Sequence, residues 1–220
     1  MNVAWALASS HPSYVDRALQ MLRDPTTFNW TAIPLLGFAI YVYAVEIERQ
    51  NWSLVLAGLA FWLMDWVNEI VNSLVLHFTN YAPIWTATGH TSFEIFVGLN
   101  IEISLLFFIA GITFCKQLPR DPKARILGIP NRWIMVLGFS CFSVFVEVLL
   151  NRTGYFSWAY WWWNFPNLLL IVIFGYATFY GIAAWVFDMP RLADKVRVVA
   201  VMSVIVGLAL VGFGPVLGWI

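Results

Sequence analysis

The chain reads as an all-α protein, a polytopic membrane bundle of about six transmembrane helices with a short N-terminal interfacial helix. Three observations predict this. Hydrophobic residues make up 61% of the sequence and charged residues only 11%, against about half and a quarter in soluble domains. Apolar runs recur along nearly the whole length, each near the ~20 residues needed to cross ~30 Å of hydrocarbon. With 220 residues there is room for one bundle, so residues 1–28 read as an N-terminal arm and 29–220 as a single six-helix unit.

In the arm, Tyr14, Val15, Ala18, Leu19, Met21 and Leu22 recur at helical spacing opposite Asp16, Arg17 and Gln20. That pattern predicts a short helix lying on the membrane surface. No cleaved signal is expected, because the opening apolar stretch is short and closely followed by polar residues. Spans follow at about 30–48, 53–77, 93–115, 133–151, 161–187 and 197–219. The third and fourth are separated by the longest polar loop, with two proline turns. Pro190 ends the fifth.

Nine basic residues flank loops one, three and five, and three lie on the other side: Arg17, Arg23 and Arg152. The positive-inside rule then places those loops in the cytoplasm and both termini outside or in a lumen, in a plasma, inner or endoplasmic reticulum membrane. Net charge is zero, so nothing points to a nucleic-acid partner. Cys115 and Cys141 lie within spans, far from any Cys-x-x-Cys spacing, and read as apolar side chains.

Carboxylates within or at the ends of the spans carry the functional signal: Asp65, Glu69, Glu94, Glu102, Glu147 and Asp188. A charge in hydrocarbon is costly unless partnered, protonated or wet, so such residues mark function by default. With ~1.5 Å rise per residue, Glu69 and Asn72 fall in the outer half of span two and Asn100 and Glu102 near mid-depth of span three. Glu94 falls at the outer mouth of span three, Glu147 and Asn151 at the outer end of span four, and Asn164 and Asn167 at the start of span five. These positions predict a polar cup in the outer half of the bilayer, with Asp65 one turn below Glu69 as its floor.

Two carboxyls four residues apart in low dielectric cannot both ionise cheaply, so one is expected to hold a proton as a general acid. Glu69 is the expected donor, Asp65 tunes it, and Glu102 is the expected base or cation stabiliser. Asn68 and Asn72 orient the pair, and Glu94, Asn100, Glu147, Asn151, Asn164 and Asn167 contact substrate. Packing clamps between helices are the competing reading. Thirteen Trp, eight Tyr and 18 Phe largely fit an interfacial aromatic belt, while Trp62, Trp66, Trp162 and Trp163 stand near enough for some to line the cup and stabilise a cation.

His90 and Glu94 are spaced for one metal, with His77 nearby, but the Glu-x-x-His pairs of a di-iron bundle are missing from the sequence. No metal or cofactor is expected. A faint echo links Glu69, Asn72, Tyr81 and Trp85 with Glu147, Asn151, Tyr155 and Trp158. The spacings differ, which favours chance.

An aromatic cup with a protonated acid, a second carboxylate and amides suits isomerisation, cyclisation or hydration of an isoprenoid- or sterol-like lipophilic substrate. In plan the chain resembles the emopamil-binding sterol isomerases and the fungal-type meroterpenoid cyclases, through helical size, Glu69, Glu94 or Glu102, and Asn164 or Asn167 with nearby Trp. The likeness rests on scattered positions and no contiguous motif. Where the sterol isomerases carry His-x-x-x-Glu in span two, this chain has Asp65-x-x-x-Glu69. A proton- or cation-coupled transporter and a non-catalytic membrane subunit are the alternatives. Partners expected are a lipophilic small molecule and membrane lipid, with an oligomer contact on the glycine-rich last span (Gly207, Ala209, Gly212, Gly214, Gly218).

Overall fold

The computed structural model describes residues 11–88 and 93–220. A short helix α1 (Ser13–Met21) precedes α2 (Ala32–Glu48) and α3 (Trp52–Thr79). Strands β1 (Trp85–Ala87), β2 (Glu94–Phe96) and β3 (Leu99–Asn100) lead into α4 (Ile101–Gln117). The hairpin β4 (Arg125–Ile126) and β5 (Ile129–Pro130) precedes α5 (Asn131–Arg152), and β6 (Phe156–Trp158) follows it. A π-helical stretch, Ile171–Tyr176, runs directly into α6 (Ala177–Asp188). The last helix, α7 (Leu192–Val211), closes in a π-helical turn over Gly212–Val216.

Among the described residues, four helices are long and apolar enough to cross a membrane: Trp52–Thr79, Asn131–Arg152, Ile171–Asp188 and Leu192–Val216. With 17 residues each, α2 and α4 complete a bundle of six. α3 is its axis, packing on α4, α6 and α7, whereas α2 leans chiefly on α4. Half of the apolar window of α3 is buried, against 11% of that of α7, so the rest of the protein leaves most of the α7 surface uncovered. The main core lies where Phe61, Phe114, Phe179 and Tyr180 meet between α3, α4 and α6.

The two ends of the bundle differ. At one end Lys116 pairs with the buried Glu46, Arg132 holds Asp188 through two bonds of 2.7 and 2.9 Å, and Lys195 donates to Ser53 and to the Phe187 carbonyl. These contacts tie every membrane helix to a neighbour, and they account for Glu46 and Asp188 as clamps. The other end gathers α1, the strands β1, β2, β3 and β6 and the final residues: β1 pairs with β6, Leu22 bridges Glu94, and His77 stacks on Trp219.

Three expectations change. Helix α1 forms over the expected residues, but its buried face, Val15 and Ala18, is covered by protein rather than left for lipid, with β1 among its neighbours. Span three starts at Ile101, not at 93. Residues 94–100 form a hairpin instead, because Gly98 passes so close to Trp85 that a Cβ there would lie 2.5 Å from the indole, and the Asn100 side chain caps α4 by accepting from Ile103 N at 2.8 Å. Asn100 and Glu102 therefore sit at the strand-bearing end, not at mid-depth. Span five likewise starts late: Trp161–Trp163 form a 3-10 turn, and Pro166 with its flanking asparagines delays the helix.

Candidate functional site

A cavity of about 440 Å³ lies beside α3. It runs from Trp85 and Gly98 at the strand-bearing end past Asp65, Glu69 and Glu147 to Thr113 and Phe139. On α4 its lining extends from Ile103 to Phe114, roughly 16 Å of helix. The cavity is thus longer than the expected cup. Its polar part lies towards the end that carries β1 and β6, and its apolar part continues towards the basic end.

Each carboxylate has its own support. Glu69, 4% exposed, accepts from the Trp85 indole at 2.7 Å through Oε1, and its Oε2 has no partner among the described residues. Glu147, 6% exposed, accepts from the Trp158 indole at 2.7 Å, with the Tyr176 hydroxyl as a second hydrogen-bonding neighbour. Asp65 is buried one turn below Glu69, and its Oδ2 is likewise unpartnered among the described residues. Buried polar atoms are normally satisfied, so open carboxylate oxygens in a cavity mark places where a ligand or water bonds.

The paired strands explain how the two indoles reach their carboxylates. β1 and β6 run antiparallel with Trp85 directly opposite Trp158, a register that puts both side chains on one face of the ribbon. Asn72 fixes the first strand: its Oδ1 accepts from Ile84 N at 2.7 Å and Trp85 N at 3.2 Å, and its Nδ2 donates to Trp85 O at 2.9 Å. Asn151 fixes the second, donating to Phe156 O at 3.1 Å. The sequence echo judged to be chance is a matched construction: helix carboxylate to strand indole, helix amide to strand backbone.

Other expected site residues are placed elsewhere. Asn68 lines the cavity and donates to Gly175 O and Thr178 Oγ1, both at 3.5 Å, where the π-helical stretch meets α6. Glu102, in the first turn of α4, accepts from Thr31 Oγ1 at 3.2 Å and is not among the lining residues. Glu94 is buried in the β2–β3 hairpin opposite Asn100, and its carbonyl accepts from Arg23 N at 2.9 Å. Trp62 donates to Ser104 at 2.9 Å and clamps α3 to α4, while Trp66 packs edge-on against Trp62 and Phe96. Trp162 stacks on Tyr160, Asn164 accepts from Phe165 N, and Asn167 donates to Trp161 O; none of the three lines the cavity. His77 stacks on Trp219, and His90 lies outside the described residues.

Sequence reasoning placed Trp163 near the cup, and it lines the cavity; it did not single out Trp85 or Tyr176 as lining residues, nor the hydroxyls of Ser143 and Tyr180. Trp85 and Trp163 stack with centroids 5.7 Å apart beside Glu69, giving the carboxylates an aromatic wall. At its side the cavity opens between α4 and α5, which each pack on α6 and make little contact with one another. Leu106, Phe142, Val146 and Leu150, all exposed, form the rim together with Phe38 of α2. No Lys, Arg or His lines the cavity among the described residues.

A protein of Archaeoglobus fulgidus described as uncharacterized is 46% identical over 205 residues, which cover 93% of this chain and 97% of that protein. No solved structure matches the chain. The model of an uncharacterized membrane protein family matches residues 12–215, and it is to this family of integral membrane proteins that the chain belongs.

Proposed function

We propose that the protein is a membrane enzyme performing carboxylate acid/base chemistry, of which isomerisation is the simplest form, on a lipophilic isoprenoid- or sterol-like molecule. The observation that carries this reading is the pair of unpartnered buried oxygens, Asp65 Oδ2 and Glu69 Oε2, on side chains lining an aromatic-walled cavity that opens sideways towards lipid. A lipid substrate reaches such a site from the bilayer without crossing water.

Glu69 donates its proton to one carbon of an alkene, forming a C–H bond and leaving a carbocation on the other carbon. The carboxylate left behind keeps the Trp85 N–H, now a charge-assisted bond. Trp85, Trp163 and Tyr176 surround the cation with π-electrons. A second carboxylate then removes a neighbouring proton, and the alkene reforms one bond away. Glu102 was the expected base; its place at the end of α4 outside the cavity gives that role to Glu147 or Asp65. The proton returns between carboxyls, so the cycle balances without another reactant. Transport is less well supported, since the deep lining of Phe114, Phe139 and Ala110 offers no charged path towards the basic end.

The test is deuterium uptake from D₂O by farnesol, farnesene and squalene in nanodiscs carrying the protein. Wild type is expected to label at least one substrate at an alkene or allylic carbon, and Glu69→Gln to label it about a hundredfold more slowly. No labelling of any of the three, or equal labelling by the variant, overturns the reading.

A further inference from the structure

Below the carboxylates the cavity contains a second polar point. Ser143 lies one turn before Glu147 on α5, and Tyr180 one turn after Tyr176 on α6, so the layer formed by Glu147 and Tyr176 is followed by a layer formed by Ser143 and Tyr180. Their hydroxyl oxygens are 2.8 Å apart. The Tyr180 ring is fixed between Phe61, Phe114 and Phe139, with centroids 5.1, 4.8 and 5.5 Å away, and the residue is 6% exposed.

Two hydroxyls bring two O–H hydrogens. One is used in the bond between them, and no other acceptor for either hydroxyl lies within hydrogen-bond reach among the described residues. A spare donor therefore remains in a lining of Phe61, Phe114 and Phe139. A buried donor of this kind loses on the order of 1–3 kcal/mol when left unmatched, so it recovers most when the ligand supplies the acceptor.

We propose that the Ser143 and Tyr180 hydroxyls form a subsite for one neutral acceptor oxygen, a hydroxyl, carbonyl or ether, of a lipophilic ligand. Successive layers on a helix are separated by roughly 6 Å, so that oxygen sits about four or five bonds along the ligand from the atom facing Glu147. The ligand is uncharged. A phosphate or carboxylate head would meet Asp65, Glu69 and Glu147 with no Lys, Arg or His in the described lining to offset it. An ammonium head would have no carboxylate in the deep layer. The subsite rests on the proposal that the cavity holds a lipid, and its test reads binding alone, so it stands or falls separately from catalysis.

The experiment measures equilibrium binding of radiolabelled farnesol, farnesene and farnesyl phosphate to the full chain in nanodiscs, with empty nanodiscs subtracted. The expected result is a preference of about tenfold for farnesol over farnesene, the size of one neutral hydrogen bond, and weaker binding of farnesyl phosphate than of either. The double variant Ser143→Ala with Tyr180→Phe is expected to bind farnesene as wild type does, which reports an intact fold, and to lose the preference for farnesol. If wild type does not favour farnesol, if farnesyl phosphate binds as well as farnesol, or if the double variant keeps the preference, the subsite is overturned. Should the double variant fail to bind farnesene, the single variant Tyr180→Phe decides by the same ratio. A confirmed preference in a protein that labels no substrate from D₂O would leave the subsite standing and remove the catalytic reading.

Discussion

Glu69 is held from one side and open on the other, an arrangement that depends on a residue which touches no ligand. Asn72 is completely buried and satisfies three backbone groups of the segment that carries Trp85. Replacing it with Ala leaves two buried N–H groups and a carbonyl without partners, a loss on the order of 2–3 kcal/mol. Asn72→Ala should therefore melt at a clearly lower temperature in detergent, read by tryptophan fluorescence. Asn72→Asp keeps the acceptor and should lose less; equal melting of Asn72→Ala and wild type would show that Trp85 is positioned by other contacts. At this scale the sequence made Asp65, Glu69 and Glu147 legible, because an acid inside an apolar run has no ordinary explanation. Their partners were hidden: a Trp just outside a span looks like belt, and the indoles of Trp85 and Trp158 follow their carboxylates by different intervals, 16 and 11 residues. Loop length absorbs that difference while strand pairing restores the match.

Helices bring these residues together by close approach of α3 and α4. A Cβ added at Gly111 would lie 2.9 Å from the Gly58 Cα and 2.6 Å from Phe61 Cβ, and one added at Gly58 would lie 2.6 Å from the Tyr43 hydroxyl. Small residues at a membrane helix contact let backbones approach in this way. Gly111→Ala should cost about 1–3 kcal/mol through overpacking, seen as reduced thermal stability, whereas Gly138→Ala, in open space on α5, should be close to neutral. Equal behaviour of the two variants would show that α3 and α4 separate freely. Element existence was legible from hydropathy, and so were the ends of α2 and α3. The starts of α4 and α6 were not, because Phe93 to Leu99 and Trp161 to Phe165 are as apolar as a helix. The signals that end each stretch are single polar residues and one proline: Asn100 as a cap, and Asn164, Pro166 and Asn167 before α6. Reading Asn100 as intramembrane displaced Glu102 inward with it.

On the scale of the molecule, the bundle is asymmetric in two directions. Along its axis, a basic end with clamped ion pairs opposes an end built of strands and indoles, which is the division seen in the basic residues of the loops. Around the axis, α7 is mostly uncovered by the rest of the protein while half of the apolar window of α3 is buried, and among the described residues the cavity comes to the surface in the gap between α4 and α5. The rim there is apolar, with Leu106 55% and Phe142 63% exposed, so a ligand dissolved in the bilayer meets no polar barrier before the carboxylates. A rim acts on passage and not on the bound state, so narrowing it should slow uptake and release together and leave the dissociation constant unchanged. Leu106→Trp combined with Val146→Trp is expected to reduce both rates for farnesol several-fold in stopped-flow transfer from donor vesicles, at unaltered equilibrium binding. Unchanged rates would move the route to another face, and a weakened equilibrium with unchanged uptake would make Leu106 and Val146 part of the binding surface.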